Sequence, residues 1–283
     1  MAIRGGEPVR ARYVLDCSGR NSLIGTQFGL KKPYAHLQKF SVYAHYENVD
    51  REPGIDGTLI RVIRGQDRWF WMIPLSPTRM SIGVVLDSAD FKKARKTPER
   101  FLEDAIAEQP VITERTPNAT RATPVYSTGD YSYRNERLAG GRWLLAGDAA
   151  GFIDPVFSTG VFLAMFSGEK AADALEAALK NPAKSTSLFA GYEKAVQRVM
   201  NRYLRFVTAW YSQEFIEIFV RPEKRLQIPQ AVNSVLGGNL TVSWGVWWRM
   251  ELFYLLVKIH KRHKIVPPLD LTPGVPQREF VRA

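Results

Sequence analysis

Gly147 and Asp148 end an apolar run, Trp143–Ala146, and stand before a turn of small residues and a helical pattern that begins near Val161. A strand that ends in Gly-Asp, followed by a helix start, is a place to hold a polar cofactor. The aspartate accepts hydrogen bonds from sugar-like hydroxyls, and the free N–H groups of the helix attract anions. The other reading of Asp148 is a buried helix cap. Ser18 and Gly19 follow a second apolar segment, Tyr13–Asp16. Gly19 permits close approach of backbone to a cofactor, and Ser18 can donate to phosphate or sugar. Alone, this pair reads as an ordinary turn; beside Gly147–Asp148 it reads as a second wall of one site. Pro155 stiffens the entry to Ser158-Thr159-Gly160. Gly160 lets backbone lie close to a flat ring, and the amides of Thr159 and Gly160 open a helix where partial positive charge gathers. A plain N-cap by Ser158 or Thr159 is the alternative. Trp69 and Trp71 form a different constellation. In an extended strand they share one face with Ile73, while Phe70 and Met72 take the other, so they either wall a substrate tunnel or pack the sheet.

The elements that must position these residues read as follows. Strands are expected over 39–49, 58–64, 68–75 and 79–87, separated by Pro-Gly, Gly-Gln-Asp and Ser-Pro-Thr turn signals, which gives an antiparallel meander. Thr97-Pro98-Glu99 starts a helix that runs to about Glu108. Short strands near 121–126 and 130–135 return the chain to Trp143. Helices then dominate: 158–180, stopped by Asn181-Pro182; 186–219, stopped by Arg221-Pro222; 229–237; and 242–262. Met1–Pro8 reads as a turn and the proline-rich last twenty residues as extended. The opening strand has no earlier strand to pair with.

Composition limits the function classes. The 283 residues are 45% hydrophobic and 24% charged, an ordinary globular balance. The net charge of +11 permits anionic cofactors, membrane surfaces or nucleic acid as partners. No RNA-binding or helix-turn-helix signature supports the last of these, so no nucleic-acid partner is expected. Cys17 is the only cysteine, which leaves no disulfide framework or cysteine metal cluster. His36, His45, His260 and His263 come with no carboxylate in register, and no metal site is assigned. There is no secretory signal and no run of about 18 uncharged apolar residues; a cytoplasmic location is the default. From Arg221 onward the chain holds ten Lys/Arg against four Asp/Glu, interleaved with Trp244, Trp247, Trp248, Phe253 and Tyr254. This segment reads as an amphipathic helix that covers a channel, docks an acidic carrier or lies on a membrane, or that simply packs on the core.

Three separated segments resemble one family. Tyr13–Ser22 is similar to the Asp-x-Ser-Gly segment of flavoproteins with the p-hydroxybenzoate hydroxylase fold. Gly147-Asp148 with Pro155 and Ser158-Thr159-Gly160 resembles their second flavin motif. Trp69-Phe70-Trp71-Met72-Ile73-Pro74 matches the WxWxIP fingerprint of flavin-dependent halogenases without a mismatch. Tyr211–Phe215 and Trp244–Trp248 resemble the C-termini of these enzymes. The resemblance implies a mixed α/β fold: an FAD fold without its first βαβ unit, an antiparallel substrate-domain sheet and a helical C-terminal tail. The corresponding domains are 1–38, the remainder of the FAD-binding domain; 39–136, the substrate sheet; 137–183, the second FAD motif and its helix; and 184–283, the helical region.

By the same resemblance, Ser18, Gly19, Gly147, Asp148, Pro155, Thr159 and Gly160 hold FAD, Thr159 and Gly160 hold a halide, and Trp69 and Trp71 wall a tunnel. FAD reduced by a separate flavin reductase, oxygen and halide together give hypohalous acid, which a lysine passes to an electron-rich ring. Phe157 stands where tryptophan halogenases commonly carry glutamate, which points to phenolic, pyrrolic or carrier-tethered substrates. Cys17 replaces a commoner alanine. No GxGxxG loop is present, since Arg4-Gly5-Gly6-Glu7 does not fit, and the family's transfer lysine lies upstream of these residues, so no catalytic residue is assigned. The expectation is the C-terminal two-thirds or so of an FAD-dependent halogenase-like oxidoreductase that by itself retains FAD weakly or not at all. The alternatives are a flavin monooxygenase or prenyl-chain reductase of the same fold, and a non-catalytic remnant that binds a membrane, carrier or partner.

Overall fold

The computed structural model describes residues 6–7, 9–129, 131–221, 226–239 and 243–272. Along the chain run β1 (Val14–Asp16), α1 (Leu23–Gln27), β2 (Lys31–Pro33), β3 (Lys39–Glu47), β4 (Arg61–Arg64), β5 (Arg68–Pro74) and β6 (Arg79–Asp87). Then come α2 (Ser88–Ala94), α3 (Pro98–Ala107), α4 (Pro110–Thr113), β7 (Thr120–Arg121), β8 (Tyr126–Gly129), β9 (Tyr133–Asn135), β10 (Trp143–Leu145) and β11 (Gly151–Phe152). The helices α5 (Gly160–Lys180), α6 (Ser185–Trp210), α7 (Gln213–Phe219), α8 (Ile228–Leu236) and α9 (Trp244–His263) complete the order. This is the mixed α/β arrangement expected from the sequence.

Two compact units divide the chain. One comprises Met1–Tyr34, Tyr131–Ala209 and Ser234–Thr241; the other comprises Ala35–Asp130, Trp210–Asn233 and Val242–Ala283. The helical residues beyond 184, expected as one region, are shared between them. In the first unit β1 pairs with β10 in parallel, Val14 opposite Trp143 and Asp16 opposite Leu145. The opening strand thus takes a partner from late in the chain. β9 lies between β2 and β11, antiparallel to both.

In the second unit β4, β5 and β6 form an antiparallel meander, but β3 lies beside β6 and not beside β4, because the long connection over 48–60 carries the chain to the far edge of the sheet. The four strands therefore do not follow one another as the meander expected from the sequence, and β7 and β8 extend the sheet along the free edge of β3. Period-two alternation sends Val42, Ala44, Phe70, Met72, Ile82, Val84 and Leu86 to one face, where they meet Phe101, Leu102 and Ala105 of α3. Thr97 caps α3, accepting a hydrogen bond from the Arg100 amide.

Three further expectations need correction. The strand set at 58–64 begins only at Arg61, because Gly54–Thr58 forms a 3₁₀ turn. The two strands placed over 121–135 are three short ones. The single helix over 186–219 is two: α6 ends at Trp210, and Ser212 caps α7 by accepting from the Phe215 amide at 3.2 Å. The turn expected at 1–8 and much of the extended tail fall on residues outside those described; 264–272 contain neither helix nor strand.

Candidate cofactor site and tryptophan strand

Because β1 and β10 run parallel and in register, the turns that follow them emerge side by side, and the Ala146 amide donates to the Asp16 carbonyl at 3.0 Å. The crevice beyond the carboxyl ends of parallel strands is where α/β folds receive ligands. Asp16 organises the first turn. Its buried carboxylate accepts from the Ser18 amide at 2.9 Å and the Ile24 amide at 2.7 Å. Ser18 Oγ accepts from the Leu23 amide at 3.0 Å, so part of its hydrogen-bonding capacity serves the turn. Gly19 has φ +65°, and a Cβ there would meet nothing within 4 Å; its backbone borders open space.

Gly147 has φ +62°, and a Cβ would lie 3.3 Å from that of Ala164 on α5. Its amide donates to Ser167 Oγ at 2.8 Å, and Ser167 Oγ in turn donates to the Leu163 carbonyl at 2.7 Å. The Asp148 carboxyl is half-buried, and desolvation raises its pKa above the ordinary aspartate value, with Arg20 pulling the other way. Tyr133 donates through its hydroxyl to the Asp148 carbonyl. Asn135 ties the turns together: its amide donates to Ser22 Oγ at 3.2 Å, the Ala149 carbonyl at 2.8 Å and the Ala150 carbonyl at 3.1 Å.

The start of α5 is left open. The Ser158 amide bonds back to the Pro155 carbonyl at 2.9 Å, and Ser158 has φ +52°, a backbone conformation that costs a non-glycine residue of order 1 kcal/mol. Thr159 is the N-cap residue by position, but its side chain makes no capping bond. The plain cap by Ser158 or Thr159 is therefore not what the structure shows. Gly160 opens onto a cavity of about 600 Å³ that Gly19, Gly147, Asp148, Cys17, Phe152, Ala164 and Gly168 also line. Ser18, Pro155 and Thr159 do not line it. Asp16, Asn135 and Ser167 were not singled out by sequence reasoning. Asp16 carried a signal, an acid at a strand end two residues before a serine, which is the pattern of an Asx turn.

In the second unit the alternation along β5 is as expected. Trp69 and Trp71 lie on the face away from the core, with ring centroids 5.9 Å apart. Trp69 is buried, donates to the Tyr211 hydroxyl at 3.1 Å and meets Trp210 edge-on. Lys39 Nζ sits 3.8 Å from the Tyr211 ring centroid and 2.7 Å from Asp87 Oδ1. Trp71 is half-buried and donates to Ser81 Oγ at 3.0 Å. Among the described residues no group of three or more His, Cys, Asp or Glu side chains is placed to hold a metal. His260 is instead buried against Glu217, 2.6 Å away. No helix among the described residues is long and apolar enough to cross a membrane.

The tryptophan halogenase family model matches residues 1–236. Among curated proteins, the chain is similar to a 1H-pyrrole-2-carbonyl-[peptidyl-carrier protein] chlorinase of Pseudomonas fluorescens, with 30% identity over 80% of this chain and 52% of that protein. A brominase acting on the same carrier-bound group, from Pseudoalteromonas luteoviolacea, is 34% identical over 64% of this chain and 46% of its own length. The chain thus spans about half the length of the curated relatives it matches. Among solved structures, the flavin-dependent brominase Bmp2 superposes with a TM-score of 0.77 at 27% identity, over 89% of this chain and 64% of Bmp2. The myxobacterial FAD-dependent halogenase CndH superposes at 0.66, with 26% identity over 93% of this chain and 64% of CndH. Since the family model runs unbroken from before the first turn to the end of α8, taking in both cofactor-side turns and the tryptophan strand, the chain belongs to the tryptophan halogenase family.

Proposed function

We propose that this chain provides the flavin-and-halide side and the substrate sheet of an FAD-dependent halogenase acting on an electron-rich aromatic ring, pyrrolic or phenolic, free or carrier-tethered. The observation that carries this is the meeting of Gly19, Gly147, Asp148 and the uncapped start of α5 around one cavity. The donor set fits the cofactor. A half-buried carboxylate answers ribityl or ribose hydroxyls, and glycine backbone beside open space accommodates a flat or phosphorylated group. Bound there, reduced FAD with oxygen supplies the oxidising equivalent that makes a halide electrophilic. Asp148 orients the cofactor's polyol, Gly19 and Gly147 allow close approach, and Ser18 supports the first turn. Pro155 sets the entry to α5, and the amides at Thr159 and Gly160 concentrate a halide at the positive end of the helix. Trp69 and Trp71 shield the aromatic substrate from bulk water. A separate flavin reductase is the proposed source of reduced FAD.

The test uses the full open reading frame that contains this chain, with any sequence in frame upstream. Purified protein is supplied with FAD, a flavin reductase system, bromide or chloride, and a pyrrole or phenol. Halide-dependent incorporation detected by mass spectrometry is the expected outcome. Oxygen insertion without halogen incorporation replaces the proposal with a monooxygenase. Flavin-free protein without turnover replaces it with a binding remnant.

A further inference from the structure

The face of the second unit's sheet that points away from its core carries an aromatic strip that extends beyond the tryptophan motif. Strand register lines up Trp71, Gly83, Tyr43 and Tyr126 as one rung across four strands. Gly83 makes room for the indole: a Cβ there would come within 2.3 Å of Trp71. Glycine inside a strand weakens it and commonly marks close approach of another group; here the group is the indole, lying across the glycine backbone. Ser81 holds that indole by its N–H. The Trp71 and Tyr43 rings are 5.6 Å apart and inclined by 46°, and those of Tyr43 and Tyr126 are 5.4 Å apart and inclined by 35°. Tyr126 is 42% exposed, so the strip reaches solvent. On the next rung His45 stands opposite Ser81, with its ring 6.3 Å from that of Tyr43 and 6.5 Å from that of Tyr126. Its backbone amide bonds to Thr123, while neither ring nitrogen has a hydrogen-bond partner among the described residues. A half-buried imidazole with an available acceptor nitrogen, beside a wall of mutually tilted aromatic rings, matches one kind of ligand: a small aromatic ring with its own N–H or O–H.

The geometry points to this strip as the seat of the substrate ring, a pyrrole or phenol that packs against Trp71, Tyr43 and Tyr126 and donates its N–H or O–H to His45. This deepens the halogenase reading by naming where its aromatic substrate is held and which side chain selects it. Rings inclined to one another offer a small aromatic ring both a face and an edge, and aromatic pairs attract in offset and edge-to-face arrangements alike. A hydrogen bond accepted from the ring N–H or O–H pushes electron density into the ring carbons, which an electrophilic halogen requires. A ring without that proton loses the bond and leaves the imidazole unpaired.

The experiment needs neither flavin nor halide, so its failure is distinct from failure of the halogenation reading. Pyrrole-2-carboxamide and its N-methyl derivative are titrated into the chain, with binding followed by tryptophan fluorescence and by NMR line broadening of the probe. Saturable binding is expected, about fivefold weaker for the N-methyl probe, as for loss of one hydrogen bond. In His45→Phe the two probes bind alike, and Tyr126→Ala weakens both by a similar factor. His45 is only half-buried and Tyr126 is exposed, so both variants fold, which circular dichroism verifies. Absence of saturable binding overturns the proposal, as does discrimination between the probes that survives in His45→Phe, or binding indifferent to Tyr126→Ala.

Discussion

Asp148 shows how a single residue divides stability from function. Burial raises its carboxyl pKa, with Arg20 only partly opposing, so the cofactor-free fold is penalised whenever the group is ionised. A raised acid pKa costs nothing below the ordinary carboxylate range and its full amount above the raised value. Asp148→Asn is therefore expected to raise the melting temperature of the apo-protein at pH 7 and to leave it unchanged below the carboxylate range. The same variant in the full reading frame is expected to bind FAD about tenfold more weakly, because a charge-assisted acceptor becomes a neutral one; a fluorescence titration measures this. Glu52 has the opposite sign. Burial raises its pKa, but hydrogen bonds from Arg115, its own backbone amide and Arg61 outweigh that and hold it at about 2. Its contribution to stability is complete above pH 4.5 and drains away as the pH falls toward 2. Glu52→Gln should cost about 1 kcal/mol at pH 7, a modest value because the pair is partly exposed to water. Urea melts should show that cost shrinking between pH 4.5 and 2. At this scale the sequence made Gly147, Asp148 and Gly160 legible because their chemistry is local, a turn and a helix start. Asn135 was not legible. Its partners are backbone carbonyls and Ser22, 113 residues away in the chain, and no spacing rule reaches that far.

Among the elements, β3, β5 and β6 were readable because each has one face on a core, which imposes strict alternation. The break between α6 and α7 was not: Trp210 and Tyr211 continue the apolar pattern of a helix, and Ser212 alone marks the new start. That break matters, since it frees Tyr211 to accept from Trp69 on β5 and to lie beneath Lys39 on β3. Ser167 on α5 performs a similar service for the Gly147 turn, and Ser167→Ala should leave the Gly147 amide unsatisfied. Loss of about 1–2 kcal/mol in chemical denaturation is expected, the cost of a buried donor without a partner. Gly83→Ala tests how the Trp71 indole seats on the outer sheet face. The added methyl meets the indole at 2.3 Å, so Trp71 must tip away and release Ser81. Overpacking of this kind costs about 1–3 kcal/mol. A shift in tryptophan emission absent from a Trp71→Phe background would assign the movement to that indole.

For the whole molecule the informative quantity is where the charge lies. Of the net +11, the stretch from Arg221 contributes ten basic residues against four acidic ones. In α9, Lys258, Lys261 and Arg262 are exposed near the C-terminal end of the helix, while Met250, Phe253 and His260 are buried. Glu217 on α7 anchors this end by accepting from the Leu269 amide at 2.8 Å and pairing with His260. A rigid basic surface at one end of a helix steers an acidic macromolecule more than it binds a small ring, because its effect acts over a Debye length of about 10 Å and fades with salt. For a substrate delivered on an acidic carrier, the expected docking surface is this end of α9. In the full reading frame, replacing Lys258, Lys261 and Arg262 by glutamine should then lower kcat/KM for a carrier-tethered pyrrole about tenfold at low ionic strength, mostly through KM. Turnover of the same pyrrole as a free amide should stay unchanged. At about 0.5 M salt the variant and the parent chain should converge on the tethered substrate, since screening removes the long-range part of the attraction. Equal losses on tethered and free substrates would place the effect in the fold of α9, and a loss that persists at high salt would rule out electrostatic docking.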